Sequence, residues 1–240
     1  MAESYQIPTE FHIGFLDITF PAHWEYHAVL MVLVWMVLVP VAILMLRYHK
    51  PKPTFKGLTR KLTRFEPTWA FFNFHKYGLY YGIGLSVFGF IVAFTVNRGF
   101  SGTVHSFFGI ATVILGVLQG ISAYKRGGHG GRHYEKNDPN NPATWRGDHY
   151  DMTPRRKRFE AYHKTMGYVT MFCAVGAIAS GLTQYPISWL AWTLAILALG
   201  FVVWAVAREY MGTVYDTYRA AFGTDPEAPY NKLRREQEID

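Results

Sequence analysis

A single cysteine, Cys173, stands among the 240 residues, so no disulfide can form within the chain. Lysine and arginine are absent from residues 1–26. The opening MAESYQIPTEF therefore has no basic stretch leading into an apolar one, and no cleavable signal peptide is predicted. Charge of either sign is nearly missing from five long runs: His27–Leu46, His75–Val96, Gly102–Ala123, His163–Gln184 and Ile187–Ala207. Each is about long enough to cross a ~30 Å hydrocarbon core. These runs exclude a water-soluble globule. They predict an all-α membrane protein with five transmembrane helices, whose only core is the interior of the bundle.

The net charge of +7 would suit a nucleic-acid binder, but its placement argues otherwise. The segments 47–74, 125–162 and 208–240, with Lys76 and Lys164 at the span ends, hold 23 of the 24 basic residues. Only Arg98 falls on the other side. The positive-inside rule makes the crowded side cytoplasmic, with the amino terminus outside and the carboxyl terminus inside. The expected partner is the lipid bilayer, and no nucleic acid is expected.

What the spans do contain is histidine. His27, His75, His105 and His163 each lie near the amino-terminal end of a run. Consecutive spans alternate in direction, so His27 and His105 belong near the outer face and His75 and His163 near the cytoplasmic face. Three of these histidines head stripes of small residues at helical spacing. From His105 come Gly109, Thr112, Gly116 and Gln119; from His75 come Gly78, Gly82, Ser86, Gly89 and Ala93. From His163 come Gly167, Thr170, Ala174, Ala177 and Gly181. The first span continues from His27 with Met31, Val34 and Leu38 and has no stripe.

Small-residue faces are ordinary in membrane bundles, but ionisable residues within spans point to function. Two imidazoles on opposite sides of a porphyrin complete six-coordinate iron, an arrangement for electron transfer without ligand exchange. With no Cys-x-x-Cys-His, any haem would be b-type and non-covalent. The histidines of the loop 125–162 (His129, His133 and His149) lack tight ligand spacing and read as solvated loop residues. That loop, rich in Gly, Asn, Pro and charge, is expected to be an irregular cytoplasmic excursion. Pro40 is expected to kink the first span, and FEPTW at 65–69 to mark an interfacial entry. Residues 1–22 have little pattern, and the tail beyond Arg208 reads as a short interfacial helix with a polar end.

The chain resembles the cytochrome b561 family on HAVLMVLVWMVLVP with a following LRY, the span-opening His75, HSFFGIATVILGVLQ, and HKTMGY with a later Gly181. The resemblance runs from about His27 to Gly181. It implies a four-helix core over 27–184 holding two b haems, each ligated by two histidines from alternate helices: His27 with His105, and His75 with His163. His23 and His49 are rival ligands that match the pattern less well and are read as interface residues. The expected organisation is an outer segment at 1–26, the core with its loop at 125–162, a peripheral fifth helix at 187–207 and a cytoplasmic tail at 208–240. The extended basic signature of the ascorbate-using members is not found, and no donor domain is expected ahead of the helices. The resemblance therefore implies a free-standing, bacterial-type electron-transfer oxidoreductase of the inner membrane, exchanging electrons with a quinol or a redox protein. The alternatives are a haem-stabilised anchor or assembly subunit of a larger respiratory or photosynthetic complex, and a haem-free transporter or scaffold.

Overall fold

The structure is a computed structural model that describes residues 6–59 and 67–237. The opening MAESY, the stretch 60–66 with Arg60, Lys61, Arg64 and the start of FEPTW, and the last three residues of the polar tail lie outside the described residues. Five helices are long and apolar enough to span a membrane: α1 (Trp24–Tyr48), α2 (Ala70–Val96), α3 (Val104–Tyr124), α4 (Pro154–Gln184) and α5 (Ser188–Tyr210). The chain is an integral membrane protein of the all-α class. Among the described residues, strand is confined to one hairpin.

The residues cluster into two compact units. The first comprises Met1–Val41, Gly78–Gly120 and Thr165–Val202; the second comprises Ala42–Tyr77, Ile121–Lys164 and Val203–Asp240.

In the first unit the segment before α1 is more ordered than its sequence suggests. Strands β1 (Glu10–Ile13) and β2 (Ile18–Pro21) pair antiparallel, and Asp17 closes the turn at a φ of 53°. Asp tolerates that left-handed conformation better than most residues. Trp24 Nε1 donates to Pro8 O at 2.7 Å and ties the hairpin to the start of α1. Pro40 does not break α1. The helix instead widens into a π turn over Leu33–Leu38, with Val39 N donating to Val34 O. A proline removes a backbone donor and crowds the carbonyl four residues back, and a one-residue shift of register just before it absorbs that misfit. The widened turn puts Val34 and Trp35 into the core with Val39 and Ala174.

The small-residue stripes are buried where they meet their neighbours. Ser86, Thr112, Thr170 and Ala174 are each nearly inaccessible. A Cβ on Gly116 would meet Trp35 at 3.5 Å, so α3 passes close to that ring. The hydroxyls of Ser86, Thr112 and Thr170 donate to carbonyls four residues back, which satisfies them without an outside partner. By contrast, α5 leaves Trp192, Ile196, Leu199 and Val202 exposed. In a hydrocarbon solvent such a face costs nothing, because lipid tails are as apolar as leucine.

In the second unit the loop after α3 departs from expectation. It is irregular, with only a 3-10 turn at Pro142–Thr144, yet it is packed, and α4 begins at Pro154 inside the stretch read as loop. Trp145 and Tyr150 are buried against Ala228, with Phe222 and Tyr230 around them. The tail supplies these partners from two helices, α6 (Thr217–Phe222) and α7 (Pro229–Gln237), and the turn between them. Arg132 pairs with Asp225 at 3.2 Å and lies 4.6 Å over the Trp145 ring. Residues 54–58 run against the end of α6, with Leu58 N donating to Ala221 O and Asp225 N to Phe55 O. Gly57 is required there: its φ is 83°, and a Cβ would stand 2.6 Å from Ala221 O. Loop and tail thus form one aromatic-centred cap.

Candidate functional site: two histidine pairs

The four span histidines form two pairs, one in each unit. In the first, the His27 and His105 ring centroids are 6.2 Å apart and the ring planes cross at 87°. In the second, His75 and His163 are 6.4 Å apart at 77°. Residues on helices that run the same way are brought together at one level, as the alternation of spans requires.

One ring of each pair is oriented by the backbone of another helix. His105 Nδ1 is 2.8 Å from Ala177 O on α4, and His75 Nδ1 is 3.2 Å from Ala42 O on α1. A carbonyl only accepts, so Nδ1 carries the proton in both rings and the lone pair lies on Nε2. Glycines of two stripes sit where a neighbouring helix comes close to a first-pair histidine. A Cβ on Gly181 would stand 2.9 Å from His105 Nδ1, and one on Gly89 would stand 2.9 Å from Met31 Sδ and 3.9 Å from His27 Nδ1. Glycine at those two positions lets the neighbouring helix reach the imidazole.

The first pair borders a cleft with about 1240 Å³ of space between atoms, its open mouth included. Trp24, Met31, Trp35, Phe90, Phe94 and Ile178 give it an apolar lining. Gly109, Thr112, Ala177 and Gly181 of the stripes also border it. In the second pair Phe159 stacks on His163, 5.2 Å between centroids at 19°.

The rival histidines are placed elsewhere. His23 is exposed with Nδ1 3.0 Å from Glu25 Oε1, and His49 stacks on Trp204 at 5.8 Å. Among the loop histidines, His149 does not match its reading as a solvated residue. His149 is 7% exposed and packs against His129 at 4.8 Å and Phe222 at 5.7 Å. The missed signal was aromatic: Trp145 and Tyr150 in the loop and Phe222 in the tail are costly to leave in water. No group of three or more His, Cys, Asp or Glu able to hold a metal ion occurs among the described residues.

No protein-family model matches the chain. No solved structure matches it either. Among curated proteins, human ferric-chelate reductase 1 is 25% identical over 197 residues, which are 80% of this chain and 28% of that protein. The chain therefore spans little more than a quarter of that protein's length and is distantly similar to a ferric-chelate reductase over most of its own.

Proposed function

We propose that this chain is a di-haem b-type membrane cytochrome that carries electrons across the bilayer. On this reading His27 and His105 hold one haem and His75 and His163 the other, within a core at 27–184 flanked by accessory segments at 187–207 and 208–240. The observation that carries it is the spacing of the two imidazole pairs. A metal–nitrogen bond of about 2.0–2.1 Å and about 1.1 Å from nitrogen to ring centre put two imidazoles on one ion about 6.2–6.4 Å apart. The observed spacings are 6.2 and 6.4 Å.

The donor set fits as well. Ligating histidines almost always donate their other N–H to a carbonyl or carboxylate, which fixes tautomer and ring direction. Ala177 O and Ala42 O do this for His105 and His75. When bound, the haems supply one-electron iron chemistry at potentials set by ligation and burial. The chain itself aims Nε2 of these two rings, keeps their Nδ1 protonated, and surrounds the first site with apolar side chains that exclude water.

The similarity to a ferric-chelate reductase supports electron transfer and suggests a chelated ferric ion as one acceptor. A quinol or a redox protein is the proposed donor. The distribution of basic residues supports an outward amino terminus.

The test is a haem count. Purified, fully loaded protein is expected to give two b haems per chain by pyridine haemochrome assay, with low-spin reduced bands. One haem per chain, or none, overturns the reading. The orienting contacts make a finer prediction. In Gly181→Ala the added methyl pushes the His105 ring off Ala177 O, so the haem of the first pair is expected to dissociate about 10–100-fold faster, as second-layer changes do. The haem of the second pair should be unchanged, and equal loss of both would show general destabilisation instead.

A further inference from the structure

Near the second pair lies a buried basic cluster for which the haem ligands have no use. Arg156 precedes His163 by seven residues and shares its face of α4. It is 7% exposed, and its guanidinium lies 4.9 Å over the Phe159 ring that stacks on His163. A stacked column thus runs from guanidinium to imidazole. The positive charges of Arg126 and Arg156 both act on His163, and that of Arg126 also acts on His75.

The hydrogen bonds of this cluster are incomplete. Arg156 Nε and Nη2 both reach Glu160 Oε1, at 3.0 and 2.8 Å. Nη2 also lies 3.4 Å from His149 Nε2. Glu160 in turn accepts from the Tyr218 hydroxyl and pairs with Lys164 at 3.6 Å, so its carboxylate is already engaged. Burial, with His129, Arg156 and Arg126 nearby, pushes His149 down to about 2, so its ring is neutral. A guanidinium can only donate; His149 Nε2 therefore accepts and Nδ1 carries the proton. Arg156 Nη1 and His149 Nδ1 are then two buried N–H donors, and neither has a hydrogen-bond partner among the described residues. Buried donors of this kind are rare without an acceptor. His149 turns Nε2 toward Arg156, so its Nδ1–H points away from the guanidinium, and Arg156 Nη1 is the donor that suits a carboxylate there.

We propose that Arg156 Nη1–H, backed by the charge of Arg126, binds a propionate carboxylate of the haem held by His75 and His163. The proposal rests on the haem reading above. Arg156 acts here as the anchoring residue, and His149, which accepts from its Nη2, helps to hold the guanidinium in place.

The test follows haem loss from the holoprotein to apomyoglobin as scavenger, with the two haems distinguished by potentiometric titration. Arg156→Gln is expected to speed loss of the haem of the second pair about tenfold, the scale of a hydrogen bond to a charged group. It should also lower that haem's midpoint potential, because a positive charge stabilises the reduced form, and leave the other haem unchanged. Arg156→Lys should restore part of the effect. Iron protoporphyrin dimethyl ester has no free carboxylate. When both proteins are reconstituted with it, wild type and Arg156→Gln should lose the ester at the same rate. Equal rates for wild type and Arg156→Gln with ordinary haem overturn the proposal, as does a rate difference that persists with the ester. A midpoint that moves with added acetate in wild type but not in Arg156→Gln assigns the donor to a diffusible anion and also overturns it. A wild-type protein that binds no haem defeats the underlying reading instead.

Discussion

His105→Ala is expected to remove one haem and leave the other. The variant deletes a ligand of the first pair, and the orienting bond from Nδ1 to Ala177 O goes with it. Loss of a first-layer ligand should exceed the 10–100-fold typical of second-layer changes, so occupancy of that site should fall below about a tenth. His27→Ala should give the same spectrum as His105→Ala. His75→Ala and His163→Ala should share the opposite one, because their rings face each other at 6.4 Å and belong to the other unit. Redox titration of each variant, with haem counted per chain, checks the assignment. His23→Ala is the control: its ring is exposed beside Glu25, and both haems should remain. Losses that group His27 with His75 would overturn the pairing.

The second large effect concerns direction across the membrane. Sealed vesicles containing the holoprotein and an enclosed, impermeant ferric chelate are expected to reduce that chelate when an impermeant reductant is added outside. The rate should exceed that of protein-free vesicles by at least about tenfold, since unaided electron transfer across a ~30 Å apolar layer is negligible. A variant lacking either pair, such as His105→Ala or His163→Ala, should fall to the background rate. A chelate that stays oxidised behind a membrane carrying protein with both haems would sink the transmembrane reading. The protein would then act at one face, as an anchoring subunit could.

The five spans were legible in the sequence because hydrophobic length is a local property, and a helix is the simplest way to satisfy a backbone in lipid. Their ends agree with the structure to within a few residues, except that α2 and α4 begin ahead of their opening histidines, α4 as early as Pro154. The stripes below His75, His105 and His163 were legible because helical period fixes which residues share a face. The cap was not. Trp145 and Tyr150 meet Phe222 across the whole of α4 and α5 with no periodic pattern, and their burial is visible only in three dimensions. The solvated reading of His149 failed for the same reason.

The sequence by itself determined that histidines near the starts of alternate spans lie at the same level, because reversal of direction at each crossing leaves no other choice. It did not determine which atoms of those rings would be fixed. That was decided by tertiary packing: Gly181 lets α4 approach closely enough for Ala177 O to accept from His105 Nδ1, and Ala42 O does the same for His75 from α1. A carbonyl has to come within hydrogen-bond distance to choose a tautomer. That distance depends on how two helices pack, and neither helix encodes it alone.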